Sequence, residues 1–74
     1  MLKKLKLKRQ IKACQKEIDF LEKKRARSQA ALVEALLTHA EPDDRDVDYF
    51  NGYTARINET RTRKQKLESE LKSK

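Results

Sequence analysis

Residues whose types could do chemistry are few in this 74-residue chain. The segment Asp44-Arg45-Asp46-Val47-Asp48 sets carboxylates at alternate positions, as the start of a calcium-binding loop does. Such a loop also needs glycine at its sixth position and a bidentate glutamate at its twelfth, where this chain has Tyr49 and Ala55. These acids therefore read as helix-capping and solvated groups. One cysteine (Cys14) and one histidine (His39) cannot supply the four ligands of a structural zinc site, and a lone thiol forms no internal disulfide. Cys14 has no evident His or acid partner for nucleophilic catalysis and reads as a small buried apolar residue. His39 stands near a helix end, where the dipole favours a cation. Asn58-Glu59-Thr60 fits the glycosylation pattern, but no secretion signal accompanies it. One glycine and one proline exclude glycine-rich phosphate loops. With no carboxylate pair set around a cleft, the expectation is a non-enzymatic chain without metal or cofactor.

The basic opening offers another kind of chemistry. Lys3, Lys4, Lys6, Lys8 and Arg9 crowd the first nine residues without an acid, and such an arm releases counterions from nucleic-acid phosphates. No aromatic interleaves the lysines, so a stacking platform for single strands is not indicated. The plainer reading is a solvated helix end. Leu2 and Leu5 fall off the apolar seam described below, free to touch a partner. Tyr49, Phe50 and Tyr53 form a second cluster, as core packing or as a partner contact. The candidate partner-binding residues are therefore Lys3, Lys4, Lys6, Lys8, Arg9, Leu2, Leu5, Tyr49 and Tyr53.

The elements that must position these groups are helical. Charged residues make up 42% of the chain and apolar ones 36%, too little for an ordinary globular core but right for a coiled-coil-like chain. Glu41-Pro42-Asp43-Asp44-Arg45-Asp46 is the one cluster of breaker residues. Proline disfavours the α region for the residue before it. The pattern predicts a helix over about 2–40, a turn over about 41–45 with Asp44 or Asp46 as N-cap, and a helix over about 46–73. Asn51-Gly52 is a turn dipeptide, read as a tolerated helical glycine, with a second helix starting near Thr54 as the alternative. The fold class is all-α: an antiparallel two-helix hairpin, one domain over 1–74, expected to self-associate.

A heptad seam runs through Leu7, Ile11, Cys14, Ile18, Leu21, Arg25, Ser28, Leu32 and Ala35, and another through Phe50, Tyr53, Ile57, Thr60, Lys64, Leu67 and Leu71, with Val47 one step earlier. The expected register sets Cys14 on Leu71, Ile18 on Leu67 and Ala35 on Phe50. It leaves a polar middle, with Leu21 facing Lys64, Arg25 facing Thr60 and Ser28 facing Ile57, and residues 1–10 overhang. Val33, Leu36 and Leu37 lie off the seam.

Charge is polarised along this hairpin. The net charge of +7 divides into +8 over residues 1–27, −5 over 28–60 and +4 over 61–74, so folding creates a basic base and an acidic tip. That layout predicts antiparallel self-association, with the basic arm of one copy beside Asp43 to Asp48 of another. The charged opening is not followed by the apolar stretch of a signal peptide, and no run approaches membrane-spanning length. The expected location is the cytoplasm, and a membrane is not the expected partner.

A basic, leucine-rich opening (Met1 to Ile11), a long charged helix, an acidic break (Glu41 to Asp48) and a second charged helix ending Leu67-Glu68-Ser69-Glu70-Leu71 together resemble the N-terminal scaffolding (delta) segment of tailed-phage major capsid proteins. This chain is more basic than that segment. The resemblance implies a helical coiled-coil region that guides capsomer assembly and is removed by a protease, in a bacterial or phage-infected cell. The leading expectation is an assembly or protein-interaction module. The alternatives are a small nucleic-acid-binding protein, similar to two-helix ribosomal proteins, and an inhibitor that fills a protein partner's groove.

Overall fold

The computed structural model describes residues 2–73; Met1 and Lys74, the ends of the expected domain, lie outside them. Two helices, α1 (Leu2–Leu37) and α2 (Asp44–Lys72), pack side by side as an antiparallel hairpin, with no strand among the described residues. Neither glycine nor proline interrupts α1, and Leu, Lys, Ala, Glu, Arg and Gln carry little conformational penalty in a helix.

The helix ends differ from the sequence expectation, and the difference has a local cause. α1 stops at Leu37, three residues before the expected 40. His39 adopts a left-handed conformation with φ 59°. There the N–H of His39 donates to the Leu36 carbonyl at 3.2 Å and the N–H of Ala40 to the Ala35 carbonyl at 2.8 Å. These two bonds form a Schellman motif, which satisfies carbonyls that a helix end otherwise leaves bare. The Thr38 hydroxyl donates to the carbonyls of Glu34 at 3.0 Å and Ala35 at 3.2 Å. The stop is thus made before Pro42 is reached.

The expected N-caps of the second helix, Asp44 and Asp46, give way to Asp43. Its backbone is extended (φ −67°, ψ 133°) and its Oδ1 accepts from the Arg45 N–H at 3.0 Å. A cap needs that non-helical backbone, whereas Asp44 and Asp46 already lie in the first turn, where the dipole favours their charge. Asp43→Ala is expected to destabilise the hairpin by about 1 kcal/mol and to lower its melting point by roughly 4–8 °C. Thermal denaturation by circular dichroism checks this against Asp48→Ala, exposed and outside the cap, which should change little.

The residues of the two heptad runs are buried or half-buried except Val47, at the start of the second, which is 36% exposed, and the register differs from the expected one. Ile57 packs with Ile18 and Leu21, with Tyr53 against that cluster, where Ser28 was expected opposite Ile57. Lys64 donates from Nζ to Gln15 Oε1 at 2.6 Å instead of facing Leu21. Arg61 pairs with Glu22 at 2.8 Å, an exposed ion pair contributing at most about 1 kcal/mol. The second helix has slid by about one heptad toward the start of α1. A seven-residue slide returns the same faces to the seam, so apolar spacing permits both registers. The early stop at Leu37 selects the second, which replaces the polar middle by an apolar one. Thr60, buried at 4% exposure, satisfies its hydroxyl by donating to the Arg56 carbonyl at 2.9 Å.

The slide also shortens the expected overhang of residues 1–10. Leu7 is buried, and Lys3, Lys6, Leu7 and Gln10 share a groove with Glu70. The resulting rod measures 57 × 15 × 14 Å, with a radius of gyration of 16.8 Å. A globule of this length would have about 11 Å.

Candidate interaction surfaces

At the base of the rod, the helical pitch fans Lys3, Lys4, Lys6, Lys8 and Arg9 around the first turns of α1, and all five are exposed. Leu2 and Leu5 are 84% and 53% exposed, off the seam as expected. The arm is not free of acid in space, because Glu70 from the end of α2 stands in the groove beside Lys3 and Lys6. The structure therefore brings the arm's basic and apolar candidates to one end of the molecule, without an enclosed pocket between them.

The aromatic candidates separate. Tyr49 and Tyr53 lie one turn apart on α2 and stack, with centroids 6.3 Å apart and planes at 23°. Tyr53 is half-buried against the Ile18–Leu21–Ile57 cluster, so most of its surface is already used in packing. Tyr49 is 57% exposed and remains available to a partner. Phe50 is half-buried on the seam. Tip and base lie at opposite ends of the rod, so the two sets of candidates form no common site.

The chemistry-bearing residues are dispersed as well. Cys14 is buried and free on the seam. His39 is exposed in the turn, where its backbone rather than its ring shapes the helix end. No group of three or more His, Cys, Asp or Glu side chains is placed to hold a metal among the described residues. Asp44, Asp46 and Asp48 lie in a continuous helix, not around a calcium-binding loop.

The outer face of α1 carries a surface that was not named in full from the sequence. Ala26, Ala30, Val33 and Leu37 follow one another at steps of four, three and four, and all are exposed, with Leu37 at 76%. Together with Gln29 and Glu34 they line a shallow groove of about 400 Å³. At about 100° per residue this stripe lies roughly 150° around the helix from the local seam, so it faces away from α2. Val33, Leu36 and Leu37 stood out as off-seam residues. The signal that completes the stripe is its own heptad spacing, which the two alanines carry quietly.

No protein-family model matches the chain, and neither curated proteins nor solved structures give a match. Among the described residues no helix is long and apolar enough to cross a membrane.

Proposed function

We propose that the chain is a non-enzymatic helical assembly module that works by presenting helix faces to protein partners. The carrying observation is its uncovered apolar surface. It exposes 6223 Å², where a compact protein of this length would expose about 4,700 Å². Leu2, Leu5, Phe20, Val33, Leu36, Leu37, Val47 and Tyr49 are among the exposed groups, against a core of Leu7, Cys14, Ile18, Leu21 and Ile57. A second chain would remove that surface from water, gaining roughly 25 cal/mol per Å² of apolar area. The layout that resembles a phage capsid scaffolding segment supports the same reading, with capsid subunits as the partner class.

A second reading, binding of nucleic acid through the base, is favoured by the exposure of the five basic side chains of the arm. The two are separated by neutralising Lys3, Lys4, Lys6, Lys8 and Arg9 together. Sedimentation at tens of micromolar, with and without DNA or RNA, should show protein association that survives the neutralised arm. Tight binding to both nucleic acids, flattened in its salt dependence by the neutralised arm, combined with no protein association, would count against the assembly reading.

A further inference from the structure

Resting on the assembly reading, we infer that the outer stripe of α1 is the docking site for a second copy of this chain, packed antiparallel so that Ala26 meets Leu37 and Ala30 meets Val33 across a two-fold axis. The first argument is shape. A parallel pair would set Leu37 on Leu37 and Ala26 on Ala26, whereas the antiparallel pair nests each large side chain over a small one. Interdigitation of large and small groups is what fills a helix–helix interface at interior density, and alanines let the two axes approach toward the lower end of the usual range.

The second argument is charge. Arg27 follows Ala26, and Glu34 follows Val33, so the two occupy equivalent positions along the same edge of the stripe. In an antiparallel two-fold pair, equivalent edges face each other. Arg27 of one copy then lies within about 3 Å along the axis of Glu34 of the second copy, from the rise of 1.5 Å per residue. Symmetry makes this pair twice. Both side chains are exposed, and neither has an ion-pair partner among the described residues. A parallel pair would instead bring Arg27 to Glu22, which Arg61 already engages at 2.8 Å.

The third argument is the sequence of surfaces along α1. The apolar stripe is bounded toward the base by Lys23 and Lys24, and toward the tip by the turn that carries Glu41 and Asp43. The antiparallel overlap brings the acidic turn of each copy level with the basic band of the other. Charge complementarity thus extends beyond the stripe at both ends. It names Lys23, rather than the Lys3–Arg9 arm, as the group level with the acidic turn. The overlap covers only the tip half of each rod and buries less than the roughly 1,200 Å² of a standard interface, so the dimer is weak and dissociates on dilution.

The test is a charge exchange read by sedimentation equilibrium, from micromolar to about 1 mM protein. Arg27→Glu and Glu34→Arg each replace two attractive contacts by two repulsive ones, and each should weaken the homodimer about tenfold. Mixing the two single variants restores both attractive pairs, so a heterodimer of wild-type affinity should form; the double variant should likewise self-associate normally. Val33→Glu should leave a monomer throughout this range, with helical content unchanged because the side chain is exposed in the free chain. A wild-type chain that stays monomeric to the top of the range overturns the inference, whereas the assembly reading falls only if tight nucleic-acid binding accompanies that lack of association. Dimers that survive Val33→Glu, or that are lost instead on Leu2→Ser with Leu5→Ser, also overturn it. Failure of the mixed variants to rescue one another excludes the antiparallel arrangement.

Discussion

Ile57→Ala is expected to remove most of the hairpin's stability, leaving a broad, early unfolding transition. Ile57 is the one large side chain among the described residues with no exposed surface, and it joins the apolar contacts of Ile18 and Leu21 across the two helices. Truncating such a residue costs about 2–5 kcal/mol, the transfer free energy plus the cavity left behind. A chain of this length is stable by only about 4–11 kcal/mol when typical values per residue hold, and a rod with so short a buried seam belongs to the lower part of that range. The midpoint of thermal unfolding should fall by at least roughly 10 °C. Leu36→Ala, at a site 66% exposed, is the control; changes there belong within about 0.5 kcal/mol. Equal effects at the two positions would contradict the burial of Ile57, because they would place it outside the core.

The opposite effect is expected from two substitutions that touch no core residue. His39 holds φ 59°, a conformation that costs an L-residue roughly 1–2 kcal/mol through its Cβ. Glycine adopts it freely and is the usual occupant of this position in a Schellman motif, so His39→Gly should stabilise the hairpin by about 1 kcal/mol after its larger unfolded-state entropy is counted. Gly52 presents the converse. It lies inside α2 with a helical backbone, and a Cβ built there meets nothing within 4 Å. Gly52→Ala should therefore add about 1 kcal/mol from helix propensity. The two sites share no partner, so their effects should sum, raising the melting point of the double variant by roughly 8–15 °C. Urea titration of the four chains checks both the gain and its additivity. A loss at position 39 would show that its side chain, not its backbone, secures the turn.

The seam was legible because heptad spacing records which residues face the other helix, and every residue assigned to it from Leu7 to Leu71 lost surface on folding. The continuity of α2 through Asn51-Gly52 was not settled by the same record, because a turn dipeptide stood against the apolar period; the helix runs unbroken from Asp44. The register was not legible, because sliding by one heptad leaves that record unchanged. It depended on where α1 stops, and the stop rests on a histidine in a conformation that sequence rules assign to glycine or asparagine. Pro42 looked like the terminator because proline is the louder signal. The candidate surfaces divided along similar lines. Exposure of Leu2 and Leu5 follows from their angular distance from the seam, whereas the partial burial of Tyr53 follows from the register. The outer stripe went partly unnoticed because alanine is read as a helix former before it is read as a contact.

The rod shape has a hydrodynamic consequence. A globular protein with the same radius of gyration, 16.8 Å, would contain about 210 residues, close to three times the length of this chain. A single hairpin must therefore diffuse slowly, tumble faster about its long axis than end over end, and leave a sieving column ahead of compact proteins of equal mass. Its ¹⁵N relaxation should show the same anisotropy, with amide vectors in both helices aligned near the long axis, reoriented by the slow end-over-end motion and reporting a correlation time longer than its mass implies. Joined tip to tip through α1, two such rods would overlap over less than half their length, so dimerisation would lengthen the particle more than it thickens it.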